Sequence, residues 1–109
     1  MLTSGYTSHI SDSMETQQTP AFADWFDGLR DRKAKSKIAG RIARFELGLM
    51  GDVKSVGDGV SEARIDFGPG YRLYFTRRGN RLIVLLVGGD KSTQQRDIAR
   101  AKDMAAQIP

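Results

Sequence analysis

Arg64 and Arg72 flank a Gly-Pro-Gly loop, and Lys91 stands where the apolar run "LLVGGD" gives way to a polar helix start. A simple hairpin across that loop puts both arginines at polar positions of adjacent strands, on one face of a sheet. Two planar guanidinium groups there form a clamp for an anion such as phosphate, because each offers bidentate donors. Lys91 precedes a helix N-terminus, where free N–H groups and the helix dipole already favour negative charge. Lys54, Glu62 and Tyr74 complete the polar set near these strands. A plainer reading stays open, in which Glu62, Asp66, Arg64 and Arg72 pair with one another across the sheet and Lys91 is solvated.

Several other chemistries fall away. The chain of 109 residues has no Cys and a single histidine, His9, with no partner ligands beside it. That removes thiol catalysis, His- and Cys-based metal sites and Ser-His-Asp hydrolysis, so no metal or cofactor is expected. "GGDKST" ends like a P-loop but lacks the G-x-x-x-x-G-K-S/T spacing. "GDVKSVGDG" lies between a helix and a strand, not between a strand and a helix, and fails as a dinucleotide fingerprint. Chemistry in this chain would rest on Arg, Lys, Tyr, Asp and Glu.

The elements that must position these residues follow from hydrophobic period. Residues 1–13, rich in Ser, Thr and Gly, read as a flexible tail ahead of a single domain at 14–109. "ETQQT" suggests an edge strand. Thr19 and Pro20 then suit the cap and first position of a helix whose inner stripe is Phe22, Trp25, Phe26 and Leu29. A second helix carries Ile38, Ile42, Phe45 and Leu49 inward and a basic stripe of Lys33, Lys37, Arg41 and Arg44 on another face. That stripe is either a solvated face or a contact to phosphates or an acidic partner. Gly48 and Gly51 mark the end of this helix.

From Asp52 the period becomes two. "VSEARIDF" puts Ala63, Ile65 and Phe67 on a buried face and Glu62, Arg64 and Asp66 on a polar one, and "YRLYFTRR" alternates likewise. "LIVLLV" is apolar throughout, as expected of an inner strand covered on both faces. Ser92 and Gln95 fit a capping box for a last helix with Ile98, Ala101, Ala105 and Ile108 inward. The predicted fold is α+β: two N-terminal helices, an antiparallel sheet of four to five strands and a C-terminal helix.

The charge is +4, from 17 Lys and Arg against 13 Asp and Glu, and all 17 cations lie from Arg30 onward. A basic surface of this kind favours an anionic partner, nucleic acid first. No run of about 20 apolar residues spans a membrane, and the N-terminus lacks a basic start and an apolar stretch, so the expected location is cytoplasmic.

The stretches "FADWFDGLRD", "KIAGRIARFELGLMGDVKSVGDGVSEARIDFGPGYRLYF" and "LIVLLVGGDKSTQQRDIARAK" resemble the RelE/ParE superfamily of toxins from type II toxin–antitoxin modules, and more closely its HigB-like addiction module killer branch. The resemblance covers Thr19 to Ala106. It implies a RelE/ParE-like fold and a ribosome-dependent mRNA endonuclease, an mRNA interferase that drives attack of the RNA 2′-OH on its own phosphodiester without a metal. It also implies a helix-turn-helix antitoxin encoded beside the toxin, with operator DNA bound only through that antitoxin. The same superfamily includes ParE-like inhibitors of DNA gyrase, and a catalytically inactive binding module of this fold is a third reading. Carried onto these residues, the resemblance implies active-site roles for Arg72, Lys91 and Lys54, and the hairpin clamp adds Arg64 to the catalytic candidates. Related nucleases use a C-terminal Tyr; the corresponding position here is Asp97, which leaves Glu62, Tyr71 and Tyr74 as nearby acid–base candidates. Lys33, Lys37, Arg41 and Arg44 would meet RNA or the antitoxin.

Overall fold

The structure, a computed structural model, describes residues 13–109. Apart from Ser13, the expected tail and His9 lie outside the described residues. Strand β1 (Glu15–Gln18) leads into helices α1 (Pro20–Asp27) and α2 (Arg32–Glu46). Four strands follow, β2 (Val53–Gly57), β3 (Val60–Ile65), β4 (Tyr71–Arg78) and β5 (Leu82–Asp90), then a single 3₁₀ turn (Lys91–Thr93) and helix α3 (Gln94–Gln107).

The sheet order is β1-β5-β4-β3-β2. Strands β2 to β5 form the expected antiparallel meander, but β1 runs parallel to β5, so the sheet is mixed and not purely antiparallel. Only strands joined by tight turns are obliged to reverse direction. The chain leaves β1 through two helices and re-enters at the far edge, so nothing imposes that reversal on β1. Strand β4 is the middle of the sheet, with β5 beside it.

Helices α1 and α2 cover one face, burying Phe22, Ala34, Ile38 and Phe45 against Ala63, Leu73, Phe75 and Leu85. Helix α3 covers the other with Ala101 and Ala105 against Tyr74, Val84, Leu86 and Val87. Strand β5 therefore supplies both cores, as its unbroken apolar run requires. Thr19 fixes where α1 starts: its hydroxyl accepts from the Phe22 N–H at 3.1 Å and donates to the Leu86 carbonyl at 2.6 Å, tying the cap to β5. Helix α2 stops at Glu46, and Gly48 takes φ 79°. The expected inward stripe therefore ends at Phe45; Leu49 lies past the helix and is exposed.

The Gly pair that ends β5 is explained by close approach on both faces. A Cβ on Gly88 would overlap the Trp25 ring from α1, and one on Gly89 would overlap the Asp97 carboxylate from α3. Gly88→Ala is expected to displace the indole and cost about 1–3 kcal/mol of overpacking. A lower urea midpoint at unchanged slope is the readout. No described helix is long and apolar enough to cross a membrane.

Candidate anion-binding site

Strands β3 and β4 pair with Arg64 directly opposite Arg72, as the hairpin reading requires. Both lie on the face that α3 covers, where Gly89, opposite Arg72 on β5, offers no side chain. The Phe67–Gly70 turn folds back on itself, with the Gly70 N–H donating to the Phe67 carbonyl at 3.1 Å. Gly70, at φ 81°, is the point where the cations meet. A Cβ there would stand 3.4 Å from Arg72 Nη1 and 3.5 Å from Lys91 Cβ. Arg64, Arg72 and Lys91 thus line one open cleft of about 340 Å³, with the Gly68–Gly70 loop as a wall and Asp52 and Asp66 as its carboxylates.

The three cations are held differently. Arg72 is almost fully buried, and its Nη1 donates to the carbonyls of Gly70 (3.1 Å) and Tyr71 (3.2 Å), which fixes the loop as well as the guanidinium. Arg64 is about one-third exposed and sits 4.0 Å from Asp52. Lys91, on the 3₁₀ turn, is exposed and makes no ion pair among the described residues.

Behind the cleft lies Glu62, with no exposed surface. Its Oε2 accepts from the Tyr74 hydroxyl at 3.0 Å and from the Gln94 amide at 2.8 Å. Its Oε1 faces Arg64 Nε at 3.6 Å and Arg72 Nε at 4.0 Å, and none of these three buried atoms has a hydrogen-bond partner. Those separations exceed a hydrogen bond, so charge alone links one carboxylate to two guanidiniums. Alternation assigned Glu62 to the polar face correctly; helix α3 then closes over that face. The clamp and the cross-strand ion pairing are thus one arrangement, not rival ones. Asp66 stays outside the pairing.

The acid–base candidates do not reach the cleft. Tyr74 is buried with Glu62, and Tyr71 packs edge-on against Trp25 on the opposite face of the sheet. Burial pushes the Tyr74 phenol well above its ordinary value, the Glu62 charge and hydrogen bond add to this, Asp97 adds further, and Arg72 opposes it. Burial likewise raises Tyr71, helped by Asp31 and Asp90. A phenol raised on folding contributes stability that is complete below its unfolded pKa of about 10 and is lost as pH climbs toward the folded value. Melting temperature is therefore expected to fall above about pH 10. Tyr74→Phe should flatten part of that decline, leaving the part due to Tyr71.

Asp97 does not replace the missing tyrosine. It is buried, accepts from the Thr93 hydroxyl and lies against Gly89. The expected Ser92 and Gln95 capping box is also corrected. Asp90 is the cap, its carboxylate accepting from the Ser92 N–H at 2.8 Å while Thr93 Oγ1 accepts from the Asp90 N–H at 3.3 Å. The Ser92 hydroxyl also donates to that carboxylate and, foremost, with the backbone N–H groups of Ser92 and Thr93, holds it below the usual range against the opposing effect of burial. Asp90 wins because a 3₁₀ turn precedes α3 and moves the true start two residues upstream. The side-chain contacts of that turn set where Lys91 projects.

Lys54 sits opposite Glu62 in the β2–β3 register but is exposed and outside the cleft. On α2, Lys33, Lys37 and Arg44 are exposed, whereas Arg41 is half-buried and donates to the Arg64 carbonyl at 2.7 Å. Among the described residues no three His, Cys, Asp or Glu side chains are grouped to hold a metal ion. The cleft brings the anchored Arg72, the partly paired Arg64 and the exposed Lys91 to one space open to solvent, beside two accessible carboxylates.

No family model matches the chain. A Haemophilus influenzae protein described as an uncharacterized protein is 45% identical over 96 residues, which make up 88% of this chain and 97% of that one. The chain belongs to that protein's family. The match spans nearly the whole of the Haemophilus protein, so the two chains share a domain and not merely a motif.

Proposed function

We propose that this protein is a RelE/ParE-superfamily toxin of the HigB-like branch, an endoribonuclease that cuts mRNA on the ribosome and is neutralised by a helix-turn-helix antitoxin. The convergence of Arg64, Arg72 and Lys91 on one cleft carries the reading, since a phosphodiester in transit to a pentacovalent state gains negative charge that fixed cations stabilise. The α+β layout, with two helices on one face of the sheet and a C-terminal helix on the other, accords with the sequence resemblance.

In this reading the ribose 2′-oxygen attacks the adjacent phosphorus and the bond from phosphorus to the 5′-oxygen breaks. The 2′-OH proton passes to a base and a proton is delivered to the departing 5′-oxygen, giving a 2′,3′-cyclic phosphate and a 5′-OH. Lys91 and Arg64 hold the non-bridging oxygens, and Arg72 fixes the loop that shapes the cleft. With Glu62 and Tyr74 sealed beneath, the accessible acceptors for the 2′-OH proton are Asp52 and Asp66. Asp52 is engaged near Arg64, which leaves Asp66 the better placed of the two.

Expression of the chain without its antitoxin tests the reading. Growth arrest with new, translation-dependent 5′ ends in cellular mRNA is expected. Arrest with intact mRNA and DNA breaks would instead make it a gyrase inhibitor, and no arrest at all would make it a binding module.

A further inference from the structure

The three cations of the cleft stand against three carboxylates: Asp52 and Asp66 at the rim and Glu62 behind. Its local charge is thus nearly balanced, which suits a reacting centre but gives little long-range attraction for a polyanion. The excess positive charge lies next door. Lys37, Arg41 and Arg44 of α2 line a second open cleft, of about 450 Å³, with Ile65 and Asp66, and there they face a single carboxylate.

The two clefts are joined. Asp66 lines both. Arg41 Nη2 bonds the Arg64 backbone carbonyl, so the α2 cations are tied to the strand that carries a cleft arginine. The Lys37 ammonium stands 5.1 Å from the centre of the Phe67 ring, next to the Gly68–Gly70 wall of the first cleft. A Cβ on Gly51 would come within 3.2 Å of Arg41 Nε, so the loop before β2 also confines that side chain.

We propose that the Lys37, Arg41 and Arg44 cleft is the binding arm of the site: the sugar-phosphate backbone of a single-stranded RNA passes over Asp66 from the reactive cleft and lays its neighbouring phosphates along α2. This rests on the nuclease reading for the identity of the strand. RNA is favoured over an acidic protein because the cations continue a phosphate cleft through a shared lining residue and a direct hydrogen bond. Attraction and reaction are then divided between adjoining surfaces. Arg41 is partly structural; Lys37 and Arg44, both exposed, are the phosphate contacts that can be removed without disturbing the fold.

The test is the salt dependence of binding of the purified chain to a single-stranded RNA with 2′-O-methyl riboses, which cannot be cut. Each phosphate contact on a single strand contributes about −0.7 to the slope of log affinity against log salt. Lys37→Ala with Arg44→Ala is expected to make that slope shallower by about 1.4. On ribosome-bound mRNA the same variant should raise KM and leave kcat unchanged. Arg100→Ala, exposed on α3 and outside both clefts, should leave slope and KM as they are. An unchanged slope in the double variant overturns the proposal. If the wild-type chain binds with the expected slope yet cuts no mRNA, the nuclease reading fails while the binding arm stands.

Discussion

Lys91→Ala is expected to lower the cleavage rate of ribosome-bound mRNA by about two to three orders of magnitude, the usual consequence of deleting one group aimed at developing negative charge. Stability should hardly change, by about 0.5 kcal/mol or less, because the side chain is exposed and makes no ion pair among the described residues. The loss belongs to kcat, measured in single-turnover cleavage with saturating ribosomes, and not to binding. Lys91→Arg should recover part of the rate, since charge is kept but the compact ammonium is lost. Arg72→Ala makes an instructive contrast. It removes the bonds that hold Gly70 and Tyr71, so activity and stability should fall together.

Glu62→Ala is expected to be the most destabilising single change in the polar network, at about 3–5 kcal/mol. The carboxylate is fully buried and satisfies the Tyr74 hydroxyl and the Gln94 amide, and its charge offsets Arg64 and Arg72. Its removal leaves the buried Tyr74 hydroxyl without its acceptor and the buried Arg72 without its counter-charge. Glu62→Gln keeps the shape and one acceptor oxygen, so it should fold, with a smaller loss and with the two guanidiniums no longer balanced. Chemical denaturation of the two variants side by side separates charge from shape: a Glu62→Gln variant as stable as the wild type would show that the ion pairing contributes nothing, and equal losses would assign the whole effect to the charge.

Glu62 also shows where sequence reading stopped. Period-two alternation assigned its face but could not say that α3 covers that face, because the covering helix lies more than thirty residues away in the chain. A carboxylate among alternating apolar residues looks the same whether solvated or sealed beneath a helix. Thr19 and Pro20 were legible for the opposite reason, since a cap and its helix are neighbours in sequence. The misplacement of the last helix start came from a local ambiguity: Asp90 and Ser92 both have capping side chains, and the 3₁₀ turn between them decides. The Arg64 and Arg72 pairing was legible because a short Gly-Pro-Gly loop fixes register across the hairpin. Lys91 was legible as a cation placed before a helix start, but its convergence with the two arginines was not. That convergence depends on Gly70 and Gly89 leaving room, and no pattern of polarity records room. The α2 stripe was visible by its spacing; its continuity with the cleft through Asp66, Lys37 on Phe67 and Arg41 on Arg64 was not.

The most direct test of function uses purified ribosomes, a defined mRNA and the purified chain, with the ends of any products identified chemically. New ends are expected only when the ribosome is present, with 5′-OH on one fragment and 2′,3′-cyclic phosphate on the other, and a 2′-deoxy substitution at the cut ribose should abolish the cut. Intact mRNA under these conditions, or cleavage that survives the 2′-deoxy substitution, would contradict the proposed reaction.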